Sequence, residues 1–139
     1  MKNINIGNIF SVCIPDGAQW KNHVSEDRIG LAFDDWPSEV FFHLFQDVTD
    51  AKSVWCHDIL EDYLRNVIGP PYQTSVQEIV GETWLGYQGV TALSESEFLV
   101  NRVIASKLNQ YGLRLEFKAF KDRIPESLME VVEGVVFER

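Results

Sequence analysis

The chain is short of the features that signal covalent staples, membrane spans or nucleic-acid partners. Only two of its 139 residues are cysteine, Cys13 and Cys56, and they have no C-x-x-C spacing. That excludes a disulfide framework and an ordinary structural zinc site, while leaving open a single bridge between the two. No apolar run approaches the ~18 to 20 residues that span a bilayer. The opening "MKNINIGNIF" holds one lysine and no apolar stretch of secretory length, so no signal peptide is expected. Positive charge is also scarce, with 12 basic residues against 21 acidic ones and a net charge of −9. Phosphate binding takes its affinity from Lys and Arg, so neither nucleic acid nor an anionic membrane is an expected partner. A basic protein is electrostatically easier to bind. Together these absences predict a cytoplasmic protein.

Signatures of chemistry are missing too. The sequence has no G-x-G-x-x-G, no G-x-x-x-x-G-K-[ST], no H-E-x-x-H and no G-x-S-x-G. "GETWLG" has the glycine spacing of a phosphate loop, but Tyr87-Gln88 stands where the lysine and hydroxyl should be. Glu26, Asp27, Asp34, Asp35 and Glu39 are scattered without the internal glycine of a calcium loop. No metal, cofactor or catalytic residue is therefore assigned.

What is present suits one globular domain over residues 1–139. The chain is 45% hydrophobic, with nine phenylalanines, and has no linker long enough to divide it. "IFSVCIP" reads as a strand closed by the turn Pro15-Asp16-Gly17, and "RIGLAFDD" and "EVFFHLFQDV" as a hairpin. In the last of these, Val40, Phe42 and Leu44 point one way and Phe41, His43 and Phe45 the other, because strand side chains alternate. Both sides are rich in apolar groups, so this strand should lie inside a sheet covered on both faces, or line a groove with one of them.

A helix follows, with Thr49, Asp50 or Ser53 as cap and an apolar stripe of Cys56, Ile59, Leu60, Tyr63 and Val67, ended by "GPP". "QTSVQEIVGETWLGYQGVTAL" holds one bent strand or a hairpin, and "FLVNRVIASKL" another strand. "LRLEFKAF" puts Leu113, Leu115, Phe117 and Ala119 toward the core and Arg114, Glu116 and Lys118 toward water. A terminal helix begins near Pro125, with Leu128, Val131, Val132, Val135 and Val136 as its apolar face and Gly134 marking its end or a close packing.

The element order, the opening "F-x-V-x-I-P-x-x-x-x-W" (Phe10 to Trp20) and the corner "G-x-x-W-x-G-Y-x-G" (Gly81 to Gly89) resemble the PsbP-like superfamily, which includes the Ran-binding Mog protein and DcrB. The resemblance runs from Phe10 to about Phe137. It implies an α+β fold in which an antiparallel sheet of about six to seven strands is flanked by helices as an α/β/α sandwich. It also implies binding or scaffolding without catalysis, and transfers no functional residue.

Candidate site residues divide between bland and functional readings. Cys56 and His57 are consecutive on a helix and so face different directions, which makes Cys56 a core thiol, as is Cys13. His43, flanked by Phe41 and Phe45, is either a core-edge histidine or an acid–base group in a pocket. Tyr87 with Trp36 or Trp20 is a candidate aromatic platform, the alternative being that the Gly81–Gly89 segment is a sheet corner. The cluster Glu26, Asp27, Asp34, Asp35 and Glu39, with Asp34 and Asp35 as its binding candidates, forms a candidate docking patch for a basic partner. The expected function is a non-catalytic protein-binding adaptor or chaperone-like domain. The second reading is a small-ligand-binding protein or enzyme with a pocket near His43.

Overall fold

The computed structural model describes residues 2–14, 18–21, 28–33, 40–48, 51–69, 74–120 and 126–139. In chain order the strands are β1 (Lys2–Ile6), β2 (Phe10–Ile14), β3 (Ala18–Lys21), β4 (Arg28–Phe33) and β5 (Val40–Phe45). Helix α1 (Lys52–Tyr63) follows, continued by a π-helical turn, Leu64–Ile68. Then come β6 (Thr74–Val80), β7 (Trp84–Ala92), β8 (Glu97–Ser106), β9 (Gly112–Phe120), helix α2 (Glu126–Glu133) and β10 (Val136–Phe137). The fold is α+β. Seven strands form one sheet in the order β3-β4-β5-β9-β8-β7-β6, and β1-β2-β10 form a second, small one. Each neighbouring pair is antiparallel.

Side-chain alternation divides the core between the two faces of the large sheet. On one face Val40, Phe42, Val100, Ile104, Leu113, Leu115 and Phe117 meet Phe10 and Val12 of β2, Val131 and Val132 of α2, and Phe137 of β10. Phe10 joins the layers, its ring centroid 6.3 Å from that of Phe42 and 6.1 Å from that of Phe137. Asn109, in the β8–β9 turn, ties the small sheet down by donating from Nδ2 to the Glu138 carbonyl at 2.7 Å. On the other face α1 lays Cys56 and Leu60 on Val103 and Ala105 of β8, with Val48 beside them.

Several expectations need correction. The opening strand does not join the large sheet. It is β2 of the small sheet, paired on one side with β1, which the pattern "KNINI" hid by having too few large apolar residues. The N-cap of α1 is Ala51 at φ 59°, with no side-chain cap, and Ser53 lies inside the helix. Lys52 instead anchors the helix start, its ammonium donating to the Ser106 carbonyl at 2.5 Å and the Asn109 carbonyl at 2.9 Å. Thr49 and Asp50 lie outside the described residues. Val67 leaves the buried stripe and is 62% exposed, because the π-helical turn adds a residue to the last turn and shifts the helical phase. Helix α2 ends at Glu133, so Val136 belongs to β10, where it is exposed while Phe137 is buried. Both cysteines are free, and Cys13 is only half-buried.

The Gly81–Gly89 segment is the β6–β7 hairpin turn and the first part of β7, with Gly86 and Gly89 inside a regular ladder to β8. Gly81 closes the β6–β7 hairpin by donating to the Trp84 carbonyl at 2.9 Å. Trp84 is buried, with its indole N–H donating to the Val135 carbonyl at 3.2 Å. Its ring occupies the place of a side chain at Gly81, where a Cβ would lie 2.3 Å from ring carbon Cε2. Gly86 is tighter in a different way, since a Cβ there would sit 2.0 Å from the Val103 carbonyl oxygen across the ladder. At Gly89 the nearest atom is a side-chain methyl of Leu64 at 3.3 Å, which can give way. Gly86→Ala is therefore expected to cost about 3 kcal/mol by urea unfolding, and Gly89→Ala about 1 kcal/mol or less. Equal costs would mean that the β7–β8 ladder is not closed at Gly86.

Candidate functional site

The face that carries α1 has one cross-strand row running through it. Register places Arg28, His43, Arg114, Val103, Tyr87 and Glu78 opposite one another on β4, β5, β9, β8, β7 and β6. Helix α1 crosses this row at Val103. His43 and Tyr87 are thus on the same face and in the same row, three strand spacings or about 14 Å apart, with the helix between them.

On the β6 side of α1, Tyr87 is half-buried and tied in place. Its hydroxyl lies 3.5 Å from that of Ser53 and 3.4 Å from Glu78 Oε2. Its ring meets His57 edge to face at 5.2 Å. Trp20 is in β3, its backbone opposite Leu31, at the far side of the sheet from β7 in strand order, so it shares no platform with Tyr87. Trp36, Asp34 and Asp35 lie outside the described residues.

On the β5 side a groove of about 410 Å³ opens beside the end of the helix, lined by Phe41, His43, Tyr63, Val67, Arg114 and Glu116. Phe41 is 40% exposed, and Val67 more so. Strand β5 is therefore covered on its Val40 and Phe42 face, and lines a groove with the other. The His43 ring packs 4.5 Å from that of Phe45, whose ring in turn meets Trp55 of α1.

The groove floor is a polar network built on Tyr63, Glu116, Arg114 and Asn101. Tyr63 donates its hydroxyl to Glu116 Oε2 at 2.5 Å. Arg114 donates from Nη1 to the same oxygen at 3.0 Å and to Asn101 Oδ1 at 2.8 Å. The guanidinium also stacks over the Tyr63 ring, 4.1 Å from its centroid. Contrary to the expectation of a solvated outer face on β9, Arg114 and Glu116 have side chains only 12% and 22% exposed. Burial, then the hydrogen bond to the Glu116 carboxylate, pushes the Tyr63 hydroxyl up to about 12, against a smaller opposing pull from Arg114. The Cys56 thiol is likewise pushed up to about 12 by burial, so it is no nucleophile at neutral pH. Among the described residues no cluster of three or more His, Cys, Asp or Glu is placed to hold a metal ion.

Sequence reasoning placed Phe41 and His43 on one face but did not single out Tyr63, Arg114, Glu116, Asn101 or Val67 as a site. The usable signal was Arg114 and Glu116, opposite charges at i and i+2 on a strand otherwise packed with core residues. Val67 could not be found, because its exposure follows from the π-helical turn.

No protein-family model matches the chain, and no curated protein matches it. A crystal structure of a protein from Bacteroides thetaiotaomicron VPI-5482, at 1.50 Å resolution, shares the fold with TM-score 0.58 and 14% identity over 98% of this chain. The chain spans 47% of that protein's length, and at this identity the likeness concerns the fold alone. Among the described residues no helix is long and apolar enough to cross a membrane.

The raised hydroxyl and thiol have a defined pH signature. The Tyr63 phenol moves up from 10.0 and the Cys56 thiol from 9.0. In each case the folded state holds the proton more tightly, so the stabilisation is full below the unfolded value and is lost as pH rises toward about 12. Urea midpoints should fall from about pH 9 upward, and Tyr63→Phe should flatten the part of the fall above pH 10 while leaving its onset unchanged. A wild-type profile overlaying that of Tyr63→Phe would show that the phenol is held neither by burial nor by Glu116.

Proposed function

We propose that this chain is a non-catalytic protein-binding domain, and that the groove between β5 and the end of α1 is its recognition surface. One observation carries the reading: two exposed apolar groups, Phe41 and Val67, flank charged groups that are already satisfied by one another. Catalysis needs a group ready to exchange a proton or attack near neutral pH. Here the phenol and the carboxylate hold each other, and the guanidinium holds both. A partner can bury an aliphatic or aromatic side chain between Phe41 and Val67, the kind of anchor that dominates interface energetics, without stripping water from an unpaired charge. The net charge of −9 favours a basic partner and a salt-dependent encounter.

For the fold we favour a PsbP-like or DcrB-like α/β/α sandwich. Its support is α1 on one face of the seven-stranded sheet and α2 with the small sheet on the other. A small-ligand reading remains the alternative, because the groove volume falls within the ~300–1,000 Å³ of ligand sites and His43 lines it. An imidazole titration of His43 that shifts with a small molecule and not with a protein would favour it.

A photo-cross-linking residue at Val67 in the native cell should trap one protein, and the same residue at Val136, exposed on β10, should not. Phe41→Ser should abolish the cross-link, and binding of the trapped partner should weaken about tenfold or more between low and physiological salt. Identical products from both positions would remove the groove as the interface.

A further inference from the structure

The opposite face of the large sheet has an opening of its own. A pocket of about 390 Å³ lies between β7, β8, β9 and α2. Its floor follows from register: Val90, Val100 and Phe117 form one cross-strand row, and Phe98 and Ala119 belong to the next, with Met129 of α2 at the side. This lining is apolar except along the neighbouring row, where Gln88 sits opposite Arg102.

Arg102 is the one ionisable group in the described lining, and at 7% exposure it is an unusual residue for the interior of a central strand. Two of its nitrogens are engaged: Nε donates to Gln88 Oε1 at 2.6 Å and Nη2 to Glu133 Oε1 at 2.8 Å. The third, Nη1, is buried and has no acceptor among the described residues. Glu133 has a side chain 53% exposed, so water shares its charge and it neutralises the guanidinium only in part. Arg102 thus puts a partly neutralised cation in the wall of an apolar pocket. The complement of that wall is a carboxylate on a hydrocarbon tail, since charge-assisted hydrogen bonds to a guanidinium are the strong ones.

We infer that this pocket binds a small amphipathic carboxylic acid, its tail on Val90, Val100 and Phe117 and its carboxylate on Arg102. The volume suits a short- to medium-chain acid and not a full-length lipid. Among the described lining residues there is no carboxylate, although Glu133 already pairs with Arg102 Nη2 and the chain as a whole is acidic. Gln88 and Glu133 hold the guanidinium in place, so the binding geometry exists before the ligand arrives.

Octanoate, octanol and octylamine titrated into the ¹⁵N-labelled full chain test the assignment. Octanoate should shift the amides of β7, β8 and β9 around Arg102, and should bind about tenfold or more tightly than octanol, with octylamine weaker still. Arg102→Gln should bring octanoate down to the octanol level and leave octanol unchanged. Val90→Trp, at a half-buried position on the rim, should block both by filling the pocket. If Arg102→Gln does not fold, the comparison of the three headgroups in the unaltered chain decides by itself. Equal affinity for octanoate and octanol, shifts confined to other surfaces, or no binding at millimolar concentration would overturn the proposal.

Discussion

One geometrical mismatch organises this molecule: a seven-stranded sheet is wider than the helices available to cover it. Strands repeat every ~4.8 Å, so seven span nearly 30 Å, whereas a single helix with its side chains is about 10 to 12 Å across. Helix α1 can seal about two strands, and it lies against β7 and β8. Every strand beyond it on that face must be polar, be closed by its own side chains, or remain open. Strand β5 remains open, with Phe41 at the surface. On the opposite face α2 has only eight residues, and the small sheet supplies the missing cover through Phe10, Val12 and Phe137. That cover also falls short, leaving the space between Met129 and β7–β9.

Both openings have the same kind of boundary, an arginine at the margin of an apolar layer. Asn101 and Arg102 are consecutive residues of β8, so strand alternation sends one to each face. Asn101 is fully buried and accepts from Arg114 beneath the groove, while Arg102 closes the end of the pocket behind it. Each also keeps one buried donor without an acceptor among the described residues, Asn101 Nδ2 and Arg102 Nη1. An unpaired buried donor costs about 1 to 3 kcal/mol, set against the bond that Asn101 accepts from Arg114 and those that Arg102 gives to Gln88 and Glu133.

The sequence was most informative where burial is one-sided and regular. Leu113, Leu115, Phe117 and Ala119 alternate cleanly with polar residues and are buried. The two-sided pattern of Val40 to Phe45 pointed to an interior strand with the option of a groove, and β5 has that position. At Gly81 an aromatic residue, Trp84, fills the side-chain space that the glycine vacates. What stayed hidden depends on partners distant in the chain. Nothing local to "LRLEF" says that Arg114 will meet Asn101 and Glu116 will meet Tyr63. Nothing in "LRNVI" announces a π-helical turn, and β1 lacks the apolar content that marks a strand. Val136 was assigned to a helix because one apolar face continued past Gly134, although the backbone changes from helix to strand there.

The two openings share strands without sharing a moving part. Strands β8 and β9 are paired with each other over nine residues and are each paired again on their outer sides, to β7 and β5. Coupling between sites requires an element with two arrangements that both ligands bias. A strand laddered on both edges has one, because shifting its register by a residue would exchange its two faces and drive Val103 and Ile104 into each other's surroundings. The groove beside α1 and the pocket behind Arg102 are on this account independent surfaces on one rigid sheet. Any adaptability belongs to what borders them: the π-helical end of α1 at the groove, and the unbranched Met129 at the pocket.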